Sequence, residues 1–134
     1  MNLLDHIKQE EGFRGDAYVD TEGFPTIGYG TKLPLSKKEA EVLLVLRLEN
    51  MKKELHGRMF KAYGDIDLPS QVWDILYHMA YQLGVPNLMN FKKTLGYIVT
   101  GQYKLASEEM LDSRWARQTP NRAKRLSVAL GSIK

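Results

Sequence analysis

The chain has no cysteine, which removes a disulfide framework, a thiol nucleophile and cysteine-ligated zinc together. Histidine is nearly as scarce. His6, His56 and His78 stand at irregular spacings that match no HExxH-type motif, so neither a metal nor another cofactor is expected. Long apolar runs are also missing: the longest, Val42 to Leu46, falls far short of the roughly 20 residues a membrane-spanning helix needs. No stable membrane insertion is expected. The opening MNLLDHIKQEEGF sets Asp5, Lys8, Glu10 and Glu11 where a secretory leader would need an apolar stretch, which predicts leaderless synthesis in the cytosol.

What is present suits one folded domain: 134 residues, 43% hydrophobic and 26% charged, close to the soluble globular average. No repeat, low-complexity tract or long linker interrupts it. Charge is uneven along the chain. All 16 acidic residues lie at or before Asp112, whereas Arg114, Arg117, Arg122, Lys124, Arg125 and Lys134 follow with no acid among them. Such a tail favours a polyanion, and nucleic acid, an anionic bacterial envelope and anionic glycans all qualify.

Leu4, Ile7 and Glu11 recur at helical spacing and Gly12 follows, which predicts a helix over residues 3–11 with Glu11 on its buried side and Glu10 more peripheral. From Phe13 to Gly30 the strand formers Tyr18, Val19, Phe24, Ile27 and Tyr29 flank the turn-rich Asp20-Thr21-Glu22-Gly23; a β-hairpin follows, with room for one more short strand. Ser36 with Glu39 is a capping-box signature, and apolar periodicity carries the longest helix to Gly57. After a loop over 64–67, Pro69 opens a central apolar helix with Val72, Trp73, Leu76, Met79, Ala80 and Leu83, broken by Gly84-Val85-Pro86-Asn87. Residues 92–100 and 107–111 supply two shorter helices, and Thr119-Pro120 opens the last. The expected fold is α+β and mainly helical, one domain over residues 1–134. A small β-hairpin lobe over about 12–35 joins a larger helical lobe over about 36–134 plus the N-terminal helix, with an active-site crevice between.

Two carboxylates in unlike settings are the minimum for glycoside hydrolysis. Glu11, at the apolar side of a helix end, would be poorly solvated, which raises a carboxyl pKa and keeps a proton available for a leaving glycosidic oxygen. Asp20, among polar turn neighbours, would stay ionised. The same two residues also read as a partly buried helix residue and an ordinary turn former. Thr26 stands on the next strand, suited either to holding a water beside Asp20 or to simple packing, and Gly28 and Gly30 permit a close backbone approach or mark a bulge.

The run from Glu11 through Asp20 and Thr26 to Gly30 resembles the catalytic segment of the phage-type lysozymes, glycoside hydrolase family 24, the family of the T-even phage lysozymes. A second block, Ser113-Arg114-Trp115-Ala116-Arg117-Gln118-Thr119-Pro120-Asn121-Arg122-Ala123-Lys124-Arg125, is similar to that family's C-terminal signature. Tyr81-Gln82-Leu83-Gly84 and Asn90 to Leu95 resemble its central segments. The resemblance implies a lysozyme-like fold and an inverting muramidase that cuts the β-1,4 bond between N-acetylmuramic acid and N-acetylglucosamine. Glu11 would be the general acid, with Asp20 and Thr26 positioning the attacking water. An inverting pair should stand about 6.5–9.5 Å apart, to leave room for that water. By the same resemblance Arg122 pairs with Glu11, a contact that opposes desolvation in setting the pKa, and Tyr81, Gln82, Thr94, Gln118 and Thr119 contact sugar. Trp115 is expected to pack rather than stack on sugar.

Some positions depart from the family pattern. Thr31 stands where a structural histidine is found, Glu109 replaces a sugar-binding asparagine, the stretch between Leu33 and Ser36 is short, and the sequence ends soon after Arg125. A trimmed small lobe and the loss of a final helix are expected. Four readings compete: the muramidase, a lytic transglycosylase, a catalytically silent wall-binding module, and a nucleic-acid-binding protein using Asn121 to Arg125. The muramidase is favoured, with no nucleic acid as partner. As an endolysin it would be a monomer acting on bacterial peptidoglycan. It would await in the host cytoplasm the membrane permeabilisation, by a holin, that admits it to the periplasm.

Overall fold

Local capping shapes the chain from its first described residue. In the computed structural model, which describes residues 2–134, Asn2 Oδ1 accepts the Asp5 N–H at 2.9 Å and starts α1 (Leu3–Glu11). The Gly12 N–H closes the helix on the Lys8 carbonyl, as the glycine cap predicts. Burial differs from the expectation. No residue of α1 is buried, and Glu11 is exposed rather than on a buried side. A helical repeat names a stripe; only packing buries it.

Three strands follow, β1 (Arg14–Val19), β2 (Pro25–Gly28) and β3 (Thr31–Lys32), in one antiparallel sheet of that order. The hairpin and the additional short strand are both present. Tyr18, Thr26 and Lys32 form one cross-strand row, and β1 is irregular between Arg14 and Tyr18.

The capping box that opens α2 (Lys37–Tyr63) is reciprocal: the Ser36 N–H donates to Glu39 Oε1 at 2.9 Å, and the Glu39 N–H donates to Ser36 Oγ at 3.1 Å. The helix does not stop at Gly57. Glycine within a helix costs only about 1 kcal/mol, and burying Leu55 and Met59 one turn apart outweighs that. Termination comes at Gly64, whose φ of 77° an L side chain rarely adopts.

Beyond Pro69 lies α3 (Ser70–Leu83), with Val72, Ile75, Leu76, Met79 and Ala80 buried, the central apolar helix expected. Gly84 ends it, but Val85 to Met89 forms a helix of its own, α4 (Val85–Met89), since Pro86 sits in a first turn where its missing N–H costs nothing. Next come α5 (Lys92–Val99), α6 (Tyr103–Glu109), α7 (Arg114–Gln118) and α8 (Pro120–Gly131). The helix expected at 107–111 begins four residues earlier, directly after the turn at Gly101, because Ala106 is a buried position as well as Ser107. The short α7 was not foreseen; Ser113 caps it through the Ala116 N–H.

The chain divides into two compact units, one running to Leu44 and the other Val45–Lys134. The first holds α1, the sheet and the opening of α2. In the second, α8 packs against α3, α6 and α7, and α5 packs against α6, around Leu55, Met59, Leu76, Met79, Leu88, Leu95, Ile98 and Leu130. Among the described residues no helix is long and apolar enough to cross a membrane.

Candidate functional site

Asp20 follows β1 directly, and the turn after it makes the aspartate a fixed object. The Gly23 N–H donates to the Asp20 carbonyl at 3.0 Å, closing the turn, while Oδ1 accepts the N–H of Glu22 at 2.9 Å and that of Phe24 at 2.8 Å. The other oxygen, Oδ2, accepts from Lys32 Nζ at 2.9 Å. That Lys32 hydrogen bond first, and then the backbone N–H of Phe24, hold the carboxyl below its ordinary pKa against a small opposing effect of burial. Asp20 is therefore ionised, as its turn setting predicts. Lys32 moves the opposite way: Asp20 chiefly, with Glu22 and Glu11 adding their charge, raises its pKa.

Thr26 lies on β2, the middle strand of the sheet, and is buried, only 2% exposed. Its hydroxyl donates to the Phe24 carbonyl at 2.8 Å. The turn that binds Asp20 thus also fixes the direction of the threonine proton.

Glu11 ends α1 with its carboxylate against the turn between β2 and β3. A Cβ built on Gly30 would meet Glu11 Oε2 at 2.5 Å and Cδ at 2.7 Å, and the Gly30 φ of 75° also favours glycine. The alternating glycines suggest room for another chain or a ligand; at Gly30 the close approach is made instead by a carboxylate of the same chain. Glu11 also acts electrostatically on Lys32, the partner of Asp20, so one ammonium senses both acids.

In the unit Val45–Lys134 a second group of expected residues converges. Trp115 is buried and its Nε1–H donates to Gln82 Oε1 at 2.9 Å; Gln82 Nε2 reaches Thr119 Oγ1 at 3.4 Å, and that hydroxyl donates to the Trp115 carbonyl at 3.0 Å. Trp115 packs edge-on to Phe91, the packing role expected of it. Tyr81, beside Gln82, is exposed, as are Gln118 at the end of α7 and Arg122 in the first turn of α8. Thr94 is buried, and with Glu109 it lines a depression that also takes in Phe91, Asp112 and Ser113. Among the described residues no three histidine, aspartate or glutamate side chains converge as metal ligands would.

Sequence reasoning overlooked Lys32. The signal was available: pairing centred on Tyr29, with Gly28 to Gly30 as the loop, sets residue 32 opposite residue 26.

Comparison with known proteins supports the resemblance. The phage lysozyme family model matches residues 8–128. Two proteins of Dictyostelium discoideum named probable T4-type lysozyme 1 and 2 are 26% and 28% identical over 156 aligned positions, covering 93% of this chain and 91% of each relative. The pre-baseplate central spike protein Gp5 of Enterobacteria phage T4 is 28% identical over 160 positions, 97% of this chain, although the chain spans only 28% of that protein's length. All three alignments are longer than the chain itself, so these relatives carry segments with no counterpart in it. With the family model covering most of the sequence, and a mainly helical fold whose small antiparallel sheet follows the first helix, the chain belongs to the phage lysozyme family.

Proposed function

We propose that the chain is a muramidase that hydrolyses the β-1,4 bond between N-acetylmuramic acid and N-acetylglucosamine in bacterial peptidoglycan, with inversion. Family membership supports lysozyme-type glycoside hydrolase activity in general. The finer reading is carried by one observation, the hydrogen-bonding state of Asp20 and Thr26. A carboxylate offers about four acceptor positions. Two backbone N–H groups and the Lys32 ammonium occupy three, all from the described residues. The Thr26 hydroxyl has given its proton to the Phe24 carbonyl and can offer a water only a lone pair. A water held by both residues would donate one proton to each, leaving its own lone pairs for an anomeric carbon. Asp20 then draws off the proton that the attacking oxygen sheds, and Glu11 protonates the departing glycosidic oxygen. Tyr81, Gln82, Thr94, Gln118 and Thr119 contact the glycan in this reading, and Arg122 has a supporting role.

The full chain should release reducing ends from purified sacculi, appearing first as the α-anomer in proton NMR. Glu11→Gln should lower the rate by about 10²–10⁴-fold with thermal unfolding unchanged. Near-normal turnover by that variant, or anhydro rather than reducing ends, would sink the proposal.

A further inference from the structure

We infer that Lys32 is a positioning residue for the hydrolytic water, holding Asp20 in one orientation and leaving it a single open acceptor position. This rests on the muramidase reading and adds to it a residue outside the acid, the aspartate and the threonine. The argument starts from register. Lys32 on β3 is the direct cross-strand partner of Thr26 on β2, so the two side chains leave the same face of the sheet. From that row the lysine reaches Asp20 Oδ2 at 2.9 Å, its ammonium 4.9 Å from the Phe24 ring centroid. The side chain that binds Asp20 therefore starts from the cross-strand position beside Thr26.

Asp20 would be under-determined without it. The backbone N–H groups of Glu22 and Phe24 both bind Oδ1, which leaves Oδ2 to swing about that anchor. The lysine supplies the second point. The exposures fit such a part, the aspartate side chain being 20% exposed and the lysine 58%: the acceptor is sheltered, while its partner keeps most of its hydration. Two further acids act on the lysine, and another cation lies on the same strand row. Glu22 comes from the turn, Glu11 from α1, and Arg14 lies 4.2 Å over the ring of Tyr18, the other cross-strand neighbour of Thr26. Lys32 is the cation that hydrogen-bonds Asp20, and the bond favours the ionised carboxyl. Removing the lysine should let Asp20 take up a proton at a higher pH than in the wild type, so activity should begin to fail earlier on acidification.

The test compares Lys32→Met and Lys32→Arg with wild type in the full chain, measuring kcat and KM for sacculus hydrolysis across the acid and neutral range beside thermal unfolding. Lys32→Met should lose up to about fivefold in kcat near neutrality, and more as the pH falls, with KM unchanged and the melting temperature lowered only by the small amount a part-exposed ion pair contributes; Lys32→Arg should retain the wild-type acid limb. An acid limb unmoved in Lys32→Met, a loss confined to KM, or an arginine variant that follows the methionine one would each overturn the inference. Asp20→Asn, assayed alongside, separates the two proposals. If it lyses normally, the water-positioning reading of Asp20 fails; if it is inactive and Lys32→Met is normal, only the role of Lys32 fails. Titration of the Asp20 carboxyl by carbon-13 NMR, which needs no turnover, should move to higher pH in Lys32→Met, and an unchanged titration overturns the inference whatever the rates.

Discussion

The unit running to Leu44 and the unit from Val45 onward are held together by different forces. Every buried hydrophobic residue among those described belongs to the second, from Leu55 in α2 to Leu130 in α8. In the first, the one buried residue among those described is a threonine, and what fixes the backbone is polar: an asparagine N-cap, a reciprocal capping box, an aspartate that accepts two backbone N–H groups, and a lysine that reaches it across the sheet. Apolar packing gives stability without direction, whereas hydrogen bonds give direction with little net stability. The proton donor and water-holding acid proposed here would need direction. The unit that carries Glu11, Asp20 and Thr26 is built from directional contacts, and the bulk of the apolar burial lies elsewhere.

That contrast can be broken from either side. Asp20→Asn should have the largest effect, a loss of about 10²-fold or more in lytic rate, measured on sacculi, while chemical denaturation of the unit from Val45 onward stays unchanged. Leu76→Ala should do the reverse. It opens a cavity at a fully buried position of α3 and should cost about 2–5 kcal/mol in urea denaturation, with kcat preserved at temperatures where the protein remains folded. Gly30→Ala should touch both quantities. A methyl at φ 75° should cost about 1–2 kcal/mol, and it would displace the Glu11 carboxylate, so the rate should fall further than stability does. Ser36→Ala removes one half of the capping box and should cost about 1 kcal/mol, read as faster amide exchange in the first turn of α2.

The smallest effect concerns pH. The Asp20 pKa is depressed from 3.8, so its contribution to stability is complete above that value and is lost as pH falls through the lower, folded-state value. The Lys32 pKa is raised from 10.5, so its contribution is complete below that value and is lost as pH rises through the higher one. Amide exchange of Glu22 and Phe24 should accordingly show constant protection between those limits, once corrected for the intrinsic pH dependence, and protection should weaken outside them.

Much of this is legible in the amino-acid sequence. Ser and Gly at helix ends act on backbone groups within four residues, so the close of α1 and the start of α2 follow from local sequence alone. The turn at Asp20–Gly23 is equally local. The apolar face of α3 could be read because burial there is deep enough for the repeat to be unbroken. Reading failed where a local preference met a distant competitor. Gly57 signals an end, yet burial of Leu55 and Met59 carries α2 past it; Pro86 signals a break, yet it serves as the first turn of α4; Glu11 has the spacing of a buried position and is exposed. At the candidate site, the sequence pointed to Asp20 and Thr26 but not to their shared dependence on the Phe24 backbone, nor to Lys32.

The sequence by itself determined the glycine cap of α1, the capping box of α2, the hairpin, the apolar face of α3 and the family, because each of these rests on residue types at short separations or on spacing preserved along the chain. Tertiary structure alone decided how far α2 runs, where Glu11 stands in relation to solvent, and which cation meets Asp20. Burial and charge pairing depend on atoms brought together from twelve or more positions apart, and no local preference encodes the distance between them.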